Sequence, residues 1–208
     1  SLLGSTAKNI RKVFDYASKR ECILFLDEFD VVAKLRDDKH ELGELKRVVN
    51  SLLQNIDNFN NSSILIAATN HHELLDPAVW RRFANIINLD KPSNEEIQVL
   101  IRMFLQSMNS NVLTQRKKME KVAISFEGMS HADVKTVVNN SIKNAIINKR
   151  DTVDNWDLLQ EGYLYRNHKI VSDNDFIKYL IQHGVAQKEI NEGFGYSLRK
   201  IREISKMS

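Results

Sequence analysis

The sequence predicts an α/β protein: part of a parallel sheet with helices on its faces, followed by an all-helical remainder. Three observations predict it. Two short apolar runs, ILFL at 23–26 and ILIAA at 64–68, have the composition of strands buried in a parallel sheet. A stretch with helical apolar spacing joins them, and strand–helix–strand order gives parallel pairing. From Lys91 onward apolar residues recur only at helical spacing, and no strand pattern returns.

Each element follows in chain order. Residues 5–19 carry Ala7, Ile10, Val13, Phe14 and Ala17 on one helical face, with Ser5 or Thr6 as the expected cap. ILFL is the first strand. KHELGELKRVVNSLLQNIDNF (39–59) reads as a helix that turns Val48, Val49, Leu52, Leu53 and Ile56 inward. SSILIAATN holds the second strand, and ANIINL (84–89) is expected to be a short third one. KPSNEEIQVLIRMFLQ begins with a proline, then the Ser93 cap and the capping-box Glu96, then a helical apolar pattern. Residues 116–126 and 130–149 are two amphipathic helices joined by EGMS. A further helix is expected over 154–165, HKIVSDND is a polar link, and 173–208 is a last helical segment. The expected division is 1–90, 91–150 and 151–208.

Composition narrows the class. A chain of 208 residues with 42% hydrophobic and 27% charged residues is an ordinary globular protein, long enough to bury a core. A net charge of +3 makes no global case for nucleic acid, so any such case must rest on a local patch. One cysteine, Cys22, excludes a disulfide framework and favours a reducing, cytoplasmic setting. No apolar run reaches the ~18–20 residues that cross a bilayer, so no membrane partner is expected.

ILFLDEFD carries the strongest chemical signal. A buried strand delivers Asp27 and Glu28 to its C-terminal end, where ligands bind in open parallel sheets. Nucleotide hydrolysis needs an oxygen ligand for Mg²⁺ and a group that orients water against the terminal phosphate. Asp27 suits the first role and Glu28 the second. The alternative is a strand that ends in a solvated acidic turn. ILIAATN then ends a second strand on Asn70, a residue able to orient water and touch phosphate. LLDPAVWRRF follows, with Arg81 and Arg82 side by side. Arginines beside a phosphate site stabilise transition-state charge.

ILFLDEFD, ILIAATN, LLDPAVWRRF and FEGMSHADV, in this order and spacing, resemble the AAA branch of the AAA+ ATPases over residues 1–150. The resemblance makes 1–90 the large αβ nucleotide-binding subdomain and 91–150 the helical lid. It implies an ATPase that assembles as a homo-oligomeric, typically hexameric ring and remodels a protein substrate, with a separate protease as a further partner. Carried across, Asp27 binds Mg²⁺ in the Walker B strand, Glu28 activates water and Asn70 is sensor 1. Arg81 and Arg82 act on a neighbouring subunit's ATP. Ser130, His131 and Ala132 lie near the adenine, with His131 where the family usually has glycine. Arg47 is a candidate interface residue.

The opening SLLGSTAK imitates half of a phosphate-binding loop, G-x-x-x-x-G-K-[ST]. Its leading glycine is missing, and Lys8 is followed by Asn9. In the resembling family this position precedes Walker B, so Leu2, Leu3 and Gly4 correspond to a pore loop, here without its aromatic residue. Lys8 is then a solvated helix residue, and Walker A is expected upstream of Ser1, which would leave this chain catalytically inactive alone.

YLIQHGVAQKEINEGFGYSLRKIREI in the tail has a second reading. The spacing of Ile190, Gly195, Ser197 and Ile201 resembles a helix-turn-helix, with Asn191 where a small alanine is usual. Arg199, Lys200, Arg202 and Lys206 would then face DNA, making the chain an ATP-regulated DNA-binding module. The bland alternative is a helical cap that packs on the lid or on a partner.

Overall fold

The computed structural model describes residues 2–30, 42–59, 62–75 and 77–206, with the side chains of 2–4 and 42–46 outside that set. The chain divides into two compact units, Ser1–Asn88 and Leu89–Ser208.

The first unit contains α1 (Leu2–Ala17), β1 (Ile23–Leu26), α2 (Leu42–Asp57), β2 (Ile64–Ala67), a 3₁₀ turn at His72–Leu74 and the single helical turn α3 (Pro77–Trp80). β1 and β2 pair in parallel, Ile23 opposite Ile64 and Leu26 opposite Ala67. Parallel pairing follows from the crossover that α2 makes between them. Phe14 of α1, Val49, Leu52 and Ile56 of α2, and Phe29 and Val79 form the core. Phe14 meets Phe59 edge to face at 5.6 Å, which fastens α1 over the end of α2.

Three expectations change here. The strands alternate in burial rather than being covered on both faces: Leu24, Leu26, Leu65 and Ala67 pack on the core, whereas Ile23, Phe25, Ile64 and Ile66 are exposed. ANIINL forms no strand, because neither β1 nor β2 pairs with it, and Ile87 and Leu89 are 80% and 93% exposed. Helix α1 begins at Leu2, so Leu2, Leu3 and Gly4 form its first turn and not a loop, and neither Ser5 nor Thr6 opens the helix. The reason is visible in spacing: Leu3, Ala7, Ile10, Phe14 and Ala17 continue one apolar stripe back to the start.

The second unit is all helical: α4 (Asn94–Phe104), α5 (Asn111–Thr114), α6 (Arg116–Ser125), α7 (His131–Ile147), α8 (Asn155–Asn167), α9 (Asp173–Gln182), α10 (Gln187–Phe194) and α11 (Leu198–Ser205). The capping box expected at Ser93 forms, and a second one starts α7. Ser93 Oγ accepts from Glu96 N–H while Glu96 accepts from Ser93 N–H, and Ser130 and Asp133 do the same at α7.

Residues 151–208 do not stand apart from 91–150. One core runs through both, with Ile97, Phe126 and Val138 buried alongside Leu158, Phe176 and Ile201. Several links cross the expected boundary. Val153 N–H donates to Asn109 O at 2.9 Å, and Asn155 N–H donates to Asn111 Oδ1 at 2.9 Å. Arg150 grips the buried Asp157 carboxylate with both terminal nitrogens and lies 4.6 Å over the Trp156 ring. A buried charge needs such a partner.

Candidate functional site

The candidate site is built where β1 and β2 end. Their register carries on past the strands: Ala68 N–H donates to Leu26 O at 2.8 Å and Phe29 N–H to Ala68 O at 2.9 Å. Asp27 and Glu28 of one strand therefore leave the sheet at the same end as Thr69 and Asn70 of the other. Asp27, Glu28 and Asn70 are all exposed.

The turn after β1 is locally fixed. Asp27 Oδ1 accepts the Glu28 N–H at 2.8 Å. Glu28 sits at φ 50, a left-handed backbone that glycine adopts more easily than glutamate. Strained residues of this kind cluster at functional sites. Phe29, buried beside it, anchors the turn edge to face against Phe83 at 5.9 Å.

Sequence spacing did not reveal the tie beneath this edge. Thr69 Oγ1 donates to Asp30 Oδ1 at 2.8 Å and accepts from His71 N–H at 3.0 Å. Asp30 is 6% exposed. The pair locks the two strand ends together under Asp27 and Asn70. The only available signal was a second carboxylate three residues after Asp27 and a hydroxyl just before Asn70.

The two arginines differ. Arg82 faces its own chain: Nε lies 2.8 Å from Asp57 Oδ1, Nη2 donates to Asp57 Oδ2 at 3.0 Å, and Nη1 donates to Ala78 O. The bonds from Nη2 to Asp57 and from Nη1 to Ala78 together fix the guanidinium. In this chain the Arg82 guanidinium is thus engaged at the end of α2. Arg81 is exposed, and nothing among the described residues pairs with it.

Asp27 also lines a cavity of about 420 Å³ with Thr6, Asn9, Phe14, Phe25 and Phe29. Lys8 is exposed on α1, as expected of a solvated helix residue, and Arg47 is exposed on α2. His71 and His72 flank Glu73, with Nδ1–Oε distances of 3.3 and 3.5 Å. Glu73's own backbone N–H, and then the His71 ring, hold its carboxyl below the usual range. Among the described residues no three histidine, cysteine or acidic side chains gather as a metal site.

Ser130, His131 and Ala132 belong to the second unit, at the N-terminus of α7. Ser130 caps the helix and His131 and Ala132 are exposed. Asp133 beneath them is held below its ordinary pKa first by the Tyr165 hydroxyl and then by Ser130 N–H. The capping network thus orders this helix start.

The donor set at the β1 end fits a hard cation. Asp27 keeps one carboxylate oxygen clear of the bond to Glu28, it is open to solvent, and a Mg²⁺ site of one or two carboxylates plus waters needs no more from protein.

Comparison with known proteins gives consistent neighbours. Residues 1–91 match the family model described as ATPase family associated with various cellular activities (AAA). An uncharacterised AAA family ATPase, y4kL, of Sinorhizobium fredii is 44% identical over 157 residues, covering 76% of this chain and 46% of that protein. A proteasome-activating nucleotidase of Sulfurisphaera tokodaii is 32% identical, covering 86% of this chain and 47% of its own length. ATP-dependent zinc metalloprotease FtsH 2 of Bdellovibrio bacteriovorus is 30% identical, covering 76% and 26%. The chain thus spans less than half the length of these relatives. A crystal structure of the FIGL-1 AAA domain in complex with ADP superposes with a TM-score of 0.63 over 90% of this chain and 63% of that one, at 19% identity. That likeness shows the α/β fold.

Proposed function

Because this chain belongs to the AAA family of ATPases, we propose that it carries the hydrolytic half of an ATP site in a ring-forming protein remodeller. Asp27 would hold Mg²⁺, which would offset the negative charge on the transferred phosphoryl group. Glu28 takes the proton of the attacking water, and Asn70 orients that water from the adjacent strand. The observation that carries this reading is the shared exit of Asp27–Glu28 and Asn70 at one end of a parallel pair, locked by Asp30 and Thr69.

Arg81 serves as the finger that reaches the ATP of a neighbouring subunit, supported by its exposure and its freedom from partners among the described residues. Arg82 positions it through Asp57. Ser130, His131 and Ala132 border the adenine from the lid, and Leu2–Gly4, the first turn of α1, lie toward the pore. No G-x-x-x-x-G-K-[ST] run occurs among the 208 residues, so none of them is assigned to a phosphate cradle. The names of the relatives, proteasome-activating nucleotidase and ATP-dependent zinc metalloprotease, favour a protein substrate and a protease partner, and the hexameric ring is the assembly that the family resemblance implies. A cytoplasmic location accords with the lone cysteine.

Doping tests the trans arrangement. Mixing the Arg81→Ala protein into wild-type rings is expected to depress ATP turnover below the wild-type fraction. Turnover that merely tracks the wild-type fraction contradicts action across the seam.

A further inference from the structure

The ATP site makes no use of the last three helices, and their construction points to a second ligand. We propose that α9–α11 form a helix-turn-helix that binds duplex DNA, with α11 as the recognition helix. This stands independently of the ATPase reading.

The scaffold comes first. α10 and α11 are eight residues each and are joined by Gly195, Tyr196 and Ser197. A three- or four-residue turn containing glycine is the mark of the motif. Gly195 has φ 73, and a Cβ there would touch nothing within 4 Å, so backbone conformation alone demands the glycine. Asn191, which stands where alanine is usual, donates its side-chain amide to Tyr196 O at 2.7 Å and so closes the turn. Ser197 Oγ accepts from Lys200 N–H and starts α11. Ile190 and Ile201 are fully buried between the helices, and Phe176 and Leu180 of α9 complete the trihelical core.

The outward face of α11 comes next. At about 100° per residue, Arg199, Arg202 and Lys206 fall within an arc of about 60°, with Ile201 and Ile204 on the far side. All three cations are exposed; the Arg199 side chain is 90% accessible. The acid on this face is Glu203, 3.1 Å from Arg199. Lys200 is engaged within the chain: its ammonium lies 2.7 Å from Asp173 Oδ2 and 5.1 Å from the Tyr196 ring centroid, bracing α11 against α9.

A bare helix with a cationic face fits the major groove of B-form DNA, which is about 12 Å wide, whereas the deep, narrow major groove of A-form RNA excludes it. Arginine and lysine there neutralise phosphates and read guanine edges.

Anisotropy of a labelled random-sequence duplex DNA, titrated with the intact protein without nucleotide at several salt concentrations, tests this. The affinity is expected to fall linearly on a log–log plot against salt. Arg202→Ala and Lys206→Ala should each flatten that slope by about one. Glu203→Gln, which releases Arg199, should tighten binding several-fold, a gain that misfolding cannot produce. Arg116→Ala on α6 should change nothing. The proposal is overturned if the wild type shows no binding at low salt, if RNA duplex binds equally well, or if none of the α11 substitutions alters the slope.

Discussion

Glu28 is the residue at which stability and chemistry pull apart. Its left-handed backbone costs a residue with a Cβ about 1–2 kcal/mol, partly offset by the hydrogen bond its N–H gives Asp27. Glu28→Gly removes that strain but frees the unfolded chain, which returns about 0.4–1 kcal/mol. A net gain of roughly 0.5–1 kcal/mol in urea unfolding is expected, while Glu28→Gln, which keeps the Cβ, leaves the midpoint in place. A lower midpoint for Glu28→Gly would contradict the strain. At this scale Asp27, Glu28 and Asn70 were legible because each ends or follows an apolar run, and a run that stops on a polar residue announces a strand end. The ties Asp30–Thr69 and Arg82–Asp57 were not legible. They join residues distant in sequence, and nothing local in a lone aspartate or threonine names its partner.

Elements were legible where local chemistry decides them and illegible where a partner does. The starts of α4 and α7 follow from Ser93–Glu96 and Ser130–Asp133, pairs that close within one turn. ANIINL has strand composition, but a strand exists only through its ladder, and among the described residues it has none. Helix α8 carries a constraint that no pattern displays. Gly162 faces Phe126, and a Cβ there would lie 2.7 Å from a ring carbon. Phe126 is fully buried and has little room to yield. Gly162→Ala should therefore cost about 1–3 kcal/mol despite alanine's better helix propensity. Thermal melts of Gly162→Ala and of Gly162→Ala/Phe126→Leu check this: the double variant should lose less than the sum of the singles. Strict additivity would place the strain elsewhere.

At the scale of the molecule, sequence composition separated a sheet-bearing first unit from a helical second one, within two residues of where the compact units divide. It did not foresee that 151–208 shares the core of 91–150, since shared burial is a property of three dimensions. The second unit also carries a titrating group of its own. His183 is half-buried at the end of α9, its Nδ1 2.8 Å from Tyr179 O, with Lys121 of α6 and Arg166 of α8 facing it. Burial, chiefly, pushes its pKa below 6.5. The unfolded chain then takes up the proton first, so stability is full above about pH 6.5 and falls as pH drops below it. Asp154 and Glu161, raised by burial, act with the opposite sign but from ordinary values of 3.8 and 4.5. Melting between pH 7.5 and 5.5 should show the loss, and His183→Gln should flatten it. An unchanged slope in that variant would remove His183 from the account. The central claim, however, concerns the carboxylate beyond β1. It is tested most directly by comparing ATP binding and phosphate release in intact wild-type and Glu28→Gln proteins. The prediction is a variant that binds Mg²⁺–ATP as the wild type does and releases essentially no phosphate. Hydrolysis by that variant at the wild-type rate would contradict it.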